Sequence, residues 1–350
     1  MPHLATSLPN STAPHTTPRS IDSAMQRVLD ELSALGGAPI ESLTPEEARR
    51  QPTPADAAES VRRANGKADS KAARDERQVE TTDIVIPGPG GPLPARVYRP
   101  LGPVPDIRQP IVVYFHGGGF VIADLDVYDG GPRGVSALAD VIVISVHYRQ
   151  APEHRFPAAH EDAVAAFAWV LANADSLHGD PERVAVMGES AGGNLALHVA
   201  IVARDRGLQA PAHLTLVYPL VGNDLDTVSY REHANAKPLN KAMIEWFVKH
   251  TFADAAETAD PRINVVGAGT LNGLPDATII LAEIDPLRTE GELLAKQMAA
   301  AGSAVRSQTF LGCTHEFFGM GDVVPQAHDA QMLVADNLRR AFDAALATKE

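Results

Sequence analysis

Beyond residue 110 the chain alternates short apolar runs with longer helical stretches, and few architectures accept that rhythm. The runs fall at 111–115, 141–146, 184–187, 214–218, 278–282 and 305–310. Most are β-branched and lack strict alternation, which suits strands buried on both faces. The run 305–310 is more polar and reads as an edge strand. Segments near 158–173, 191–206, 290–301 and 326–347 carry helical patterning. Alternating β and α predicts an α/β fold, a mostly parallel central sheet flanked by helices. Ahead of it, 79–87 and 95–100 flank a Gly/Pro-rich turn at 88–93 and predict an antiparallel pair.

Two regions break the rhythm. Residues 219–275 form a long interruption with one clear helix near 239–251, and an insertion of that length is usually functional rather than slack loop. Near the N-terminus, Ile21, Met25, Val28, Leu29, Leu32 and Leu35 recur at mostly helical spacing, and Gly36-Gly37 ends that helix. A second helix is announced by Thr44 as N-cap, Pro45 in the first helical position and Glu47 closing a capping box. Residues 55–77 are polar, Ala-rich and helical in part, and 1–20 form a flexible leader.

Composition excludes whole classes. Thirty Lys+Arg against 44 Asp+Glu leave a net charge of −14, and without a basic run there is no footprint for phosphate neutralisation, so no nucleic-acid partner is expected. At 5% aromatic residues a base-stacking platform is also unlooked for. The single Cys313 cannot form an internal disulfide or a multi-cysteine zinc site. No apolar stretch reaches the roughly 18 residues that a membrane span needs. The leader has no apolar h-region, so a cytoplasmic location without membrane insertion is the expectation. No HExxH occurs and the acidic residues are scattered, so neither metal nor cofactor is expected.

Three segments carry chemistry. Gly188-Glu189-Ser190-Ala191-Gly192 is a G-x-S-x-G between a strand and a helix, where the serine is exposed on a tight turn at the carboxyl edge of the sheet. His116-Gly117-Gly118-Gly119 follows the strand 111–115 and matches the loop that supplies oxyanion donors; with the N–H of Ala191, Gly118 and Gly119 form the expected oxyanion hole. His116 reads as a loop-holding residue. A serine nucleophile needs an imidazole, and the imidazole a carboxylate. In this topology they follow in the order Ser, acid, His, which points to Asp285 and His315, each just past a strand. Of 13 histidines only His315 and His328 follow Asp285, and His328 lies inside the last helix. Glu283 and Glu290 are rivals for the acid, the first read as support and the second as a helix cap.

The chain resembles the hormone-sensitive-lipase family of α/β-hydrolases, the bacterial family IV esterases. The resemblance rests on His116–Phe120, Tyr148–Glu153, Phe156-Pro157-Ala158, Gly188–Gly193, Asp285-Pro286-Leu287-Arg288 and His315-Glu316-Phe317, and runs from about 80 to 345. It implies an α/β-hydrolase fold with a small helical cap, drawn here from 21–75 and 222–270, over a catalytic domain of 76–221 and 271–350. It implies catalytic Ser190, Asp285 and His315, an oxyanion hole from Gly118, Gly119 and Ala191, a small-molecule ester of short to medium acyl length as substrate, and a homodimer as the weakest of its suggestions. An amidase, a natural-product deacetylase and a non-catalytic ligand receptor on the same scaffold are the alternatives. Two residues depart from the family pattern, Glu189 before the nucleophile and Glu316 after the histidine. Arg149, Glu153 and Asp162 read as structural ion-pairing residues, Cys313 as a packed apolar one. Met25, Val28, Trp246 and Phe247 are candidate cap residues.

Overall fold

A computed structural model describes residues 20–66, 79–101 and 108–347. The leader 1–19 and the stretch 67–78 lie outside the described residues. The core is one eight-stranded sheet in the order β1-β2-β4-β3-β5-β6-β7-β8. Its strands are β1 Val79–Gly88, β2 Gly91–Pro100, β3 Gln109–Phe115, β4 Ile142–Val146, β5 Gly179–Glu189, β6 Leu214–Val217, β7 Ala277–Ile284 and β8 Val305–Thr314. β1, β2 and β4 pair antiparallel, and every pairing from β4 through β3 to β8 is parallel. The β1–β2 turn is tighter than the expected 88–93, because pairing continues to Gly88 opposite Gly91. The polar run at 305–310 is the edge strand, where its outward side chains meet solvent rather than a second layer.

Eleven α-helices are described: α1 Ser23–Ala34, α2 Pro45–Ala48, α3 Pro54–Ala64, α4 Gly130–Ala139, α5 Ala158–Asn173, α6 Ala191–Asp205, α7 Val228–Glu232, α8 Lys241–Thr251, α9 Val265–Ala268, α10 Arg288–Ala300 and α11 Pro325–Ala347. The capping box read at Thr44 is present, and a second one opens α3 with Thr53 and Asp56 around Pro54. Helix α4 was not legible in the sequence. Its GGPRG opening reads as loop, yet Val135, Ser136 and Ala139 bury against the sheet, and that packing outweighs propensity. The insertion likewise holds α7 and α9 as well as α8.

α5, α6 and α10 cover one face of the sheet, with Phe167, Leu195 and Leu294 in its core. α1, α3, α4 and α11 cover the other, with Met25, Val61, Val135 and Leu338. The grouping of Met25 and Val28 with Trp246 and Phe247 is therefore corrected. The apolar stripe of α1 faces Phe310 and Cys313 rather than the insertion. A separate cluster over the carboxyl edge of the sheet joins Ala48 of α2, Tyr230 of α7, and Ile244, Trp246 and Phe247 of α8. Trp246 Nε1 donates to Leu43 O at 2.9 Å, pinning α8 to the N-terminal segment.

Candidate active site

Ser190 stands where β5 turns into α6, at φ 55° and ψ −120°. A Cβ on Gly188 would run into Gly192 O, and one on Gly192 into the carbonyl oxygens of Phe115 and His116. Both glycines are therefore demanded by backbone crossing backbone. The turn is fastened to its neighbours: Ser190 N donates to Val217 O at 2.9 Å, and Leu220 N to Ser190 O at 3.1 Å.

Three further parallel crossovers, to β6, β7 and β8, bring Asp285 after β7 and His315 after β8 to the same edge. Asp285 is fully buried and accepts from Leu287 N through Oδ1 at 2.9 Å, which aims Oδ2 at His315 Nδ1, 2.7 Å away. A carboxylate can only accept, so Nδ1 carries the proton and Nε2 is left to accept from Ser190 Oγ at 3.0 Å. Burial alone would lower the His315 pKa. The charge and hydrogen bond of Asp285, joined by Glu316 and Glu189, outweigh it and hold the imidazole above its ordinary value.

The rivals are occupied elsewhere. Glu283 accepts from Gly312 N at 2.8 Å and ties the ends of β7 and β8 together. Glu290 is not a cap: it reaches back to accept from Val221 N and Gly222 N at 2.7 and 3.2 Å, and burial pushes its pKa up to about 8. His328 is in α11, away from Ser190. His116 is buried and neutral, its pKa pushed down to about 3 by burial and by neighbouring His147. Its Nδ1 donates to Gly117 O at 2.8 Å, and Tyr148 OH donates to His116 O at 2.9 Å, so it holds the loop. Gly118 and Gly119 sit at φ 95° and 59°, conformations that disfavour any side chain. A Cβ on Gly119 would enter the Phe247 ring.

Sequence reasoning marked Glu189 and Glu316 only as departures from the family pattern, and their contacts escaped it. Glu189 is buried beside Ser190, accepting from Tyr114 OH at 2.5 Å and from Tyr218 OH. Burial raises its pKa to about 7 against the lowering effect of the two hydroxyls. The Tyr218 ring lies 4.4 Å from that of His315. Glu316 adopts the left-handed conformation at φ 71°, accepts from Tyr128 OH at 2.5 Å, and places Oε1 4.0 Å from His315 Nε2. The hydroxyl of Tyr114 inside the apolar run 111–115 was the one available signal; its partner is set by the β3–β5 register. Arg149 pairs with Asp162 at 2.9 Å, as expected of a structural pair. Glu153 pairs with Arg49 at 2.7 Å, and Arg49 also donates to Val121 O and Ala151 O, binding the N-terminal segment to the core.

Above Ser190 and His315 opens a cavity of about 720 Å³, walled by Ile40, Ile122, Leu239, Met243 and Phe247 among others. Among the described residues no helix is long and apolar enough to cross a membrane.

Fold and site together define an α/β-hydrolase. A family model described as alpha/beta hydrolase fold matches residues 112–319, and the chain belongs to that family. The resemblance to the hormone-sensitive-lipase-like esterases read from the motifs holds at this level. Among characterised relatives, the carboxylic ester hydrolase LipN of Mycobacterium tuberculosis is 43% identical over 69% of this chain and 65% of its own length. An ethyl acetate hydrolase of Pseudomonas putida is 34% identical over 86% of this chain and 92% of its own. A hyperthermophilic esterase from the archaeon Pyrobaculum calidifontis superposes with a TM-score of 0.80 at 34% identity, covering 92% of this chain and 98% of that one.

Proposed function

We propose that this α/β-hydrolase is a serine carboxylesterase with Ser190 as nucleophile, His315 as general base and acid, and Asp285 as the group that orients the imidazole. The observation that carries the reading is the line of hydrogen bonds from Asp285 Oδ2 through both nitrogens of His315 to Ser190 Oγ, at 2.7 and 3.0 Å. A serine hydroxyl is a weak nucleophile until such a base takes its proton. As Oγ attacks the ester carbonyl, His315 Nε2 receives that proton and Asp285 stabilises the imidazolium. The oxyanion faces the N–H groups of Gly118, Gly119 and Ala191, the last at the positive end of α6. Collapse returns the proton to the departing alkoxide and leaves the acyl group on Oγ. Water then attacks the acyl carbon, its proton passes through His315 to Oγ, and the acid leaves.

The names of the relatives, a carboxylic ester hydrolase and an ethyl acetate hydrolase, support the same class. The apolar side chains of Ile122, Leu239, Met243 and Phe247 in the cavity wall, and the nearness of Phe247 to Gly119, support a small-molecule ester of short to medium acyl length. The test is release of p-nitrophenol from acetyl, butyryl, octanoyl and palmitoyl esters, with Ser190→Ala as control. Turnover should peak between butyryl and octanoyl and vanish in the variant. A maximum at palmitoyl would overturn the chain-length reading. Absence of Ser190-dependent turnover on every ester would overturn the esterase reading in favour of an amide substrate or a receptor.

A further inference from the structure

Two residues of the segment leaving β4, His147 and Gln150, line the cavity above Ser190 together with Gly118 and Gly119. Hydrogen bonding fixes what each of them offers there. Gly117 O can only accept, so His116 Nδ1 carries the proton of that buried, neutral imidazole and its Nε2 is bare. His147 Nδ1 lies 3.1 Å from that bare nitrogen and is therefore the donor. Burial holds the His147 pKa below its ordinary value, so at neutral pH this ring is uncharged too, and its own Nε2 is left to accept.

Gln150 is fixed in the same way. Its Nε2 donates to Ile122 O at 2.7 Å and to Ala123 O at 2.9 Å, which uses both amide hydrogens, excludes the flipped amide and leaves Oε1 to accept. Among the described residues neither His147 Nε2 nor Gln150 Oε1 has a protein partner, and neither atom is sealed from solvent. Asp124 also lines the cavity; its Oδ1 is taken by Asp126 N and Val127 N, and its charge reaches both imidazoles. Of the two basic chains in the lining, Arg49 is engaged by Val121 O, Ala151 O and Glu153, and Lys237 is exposed on the segment before α8. Beside the glycine loop the cavity therefore presents acceptors, on side chains whose own donors face the protein.

Resting on the serine-esterase reading, we propose that the ester this site takes carries a hydroxyl group, which donates to His147 Nε2, with Gln150 Oε1 as the second acceptor beside the same loop. An alkyl group placed there strips water from the two acceptors and returns nothing, whereas a hydroxyl replaces the hydrogen bond of the water it displaces. A carboxylate or a second ester oxygen would set lone pair against lone pair, and Asp124 would repel the carboxylate further. A site built to bond a hydroxyl discriminates most strongly against the analogue that lacks it.

The experiment uses ester pairs that differ only by a hydroxyl against a methyl group. On the acyl side these are p-nitrophenyl 3-hydroxybutyrate and 3-methylbutyrate. On the alcohol side they are ω-hydroxyalkyl butyrates and the alkyl butyrates one carbon longer, followed by titration of the released acid. In the parent, kcat/KM should favour the hydroxylated member by about three- to tenfold in at least one series, and that series tells whether the hydroxyl belongs to the acid or to the alcohol. His147→Asn keeps an amide N–H for His116 Nε2 but removes the acceptor, so the ratio within that pair should fall to one or below. Any loss common to both members cancels in the ratio. Should His147→Asn not fold, Gln150→Met carries the test with a smaller fall in the same ratio. No preference for the hydroxyl in either series of the parent would overturn the proposal, as would a ratio that the folded variants leave unchanged. Failure of the esterase reading looks different: the parent would then show no Ser190-dependent hydrolysis of either member of any pair.

Discussion

Replacing Ser190 by glycine should abolish turnover and make the protein more stable than replacing it by alanine. Ser190 sits at φ 55° and ψ −120°, the geometry of the first central residue of a type II′ turn, a position that glycine dominates. A residue with a Cβ held in such a region costs on the order of 1–3 kcal/mol. Both substitutions lose the hydrogen bond to His315 Nε2, so that contribution cancels between them. Glycine gives back about 0.4–1 kcal/mol through the greater freedom of the unfolded chain. It also loses the packing of one buried methyl group, about 0.8 kcal/mol. With strain near the upper end of its range, Ser190→Gly gains about 1 kcal/mol over Ser190→Ala. At an unfolding entropy of about 2.1 cal/mol/K per residue, a chain of 350 residues would show this as a rise of about 1–2 °C in Tm. Urea unfolding and calorimetry on the two inactive variants measure the difference directly. A Ser190→Gly midpoint at or below that of Ser190→Ala would refute the claim that the turn stores strain.

The remaining expectations concern rate and pH. Because His315, as the proposed base, acts only when neutral and its pKa is raised by Asp285 against the lowering effect of burial, the acid limb of kcat/KM should lie above the ordinary imidazole value of about 6.5. A limb at or below pH 6 would contradict that electrostatic picture. Glu316→Gln removes one of the carboxyl groups that raise His315 and should move the limb to lower pH, which a pH series of kcat/KM reads. Asp285→Asn keeps the shape but spoils the tautomer, and kcat should fall about 10⁴-fold in p-nitrophenyl ester assays. In Gly119→Ala the new Cβ meets the Phe247 ring at a positive φ, so displacement of an oxyanion donor should lower kcat about 10²–10³-fold, with circular dichroism unchanged.

The site was more legible than its surroundings. Ser190, Asp285 and His315 could be placed because the chemistry demands an order along the chain and each follows a strand. Parallel strands then carry all three to one edge, so a one-dimensional pattern implies a three-dimensional meeting. Glu283 and Glu290 could not be separated from Asp285 on that ground, since all three lie near the same strand end. What separates them is direction: Glu283 turns to Gly312, and Glu290 to Val221 and Gly222.

What the sequence determined alone was the class of architecture, the candidate nucleophile, base and acid, and the glycines between which the serine turns. Local rules suffice there: the period of apolar residues, the clash of a Cβ with a crossing backbone, the order of groups along the chain. Tertiary structure decided the rest. It made a helix of the Gly- and Pro-containing segment Gly130–Ala139, sent Met25 and Val28 to the far face of the sheet, and set Tyr114 and Tyr218 on the carboxyl group of Glu189. It also brought Tyr128 to Glu316 across 188 residues. Such pairings depend on strand register and on which faces close upon each other, and no local pattern encodes a contact whose two halves are that far apart in the chain.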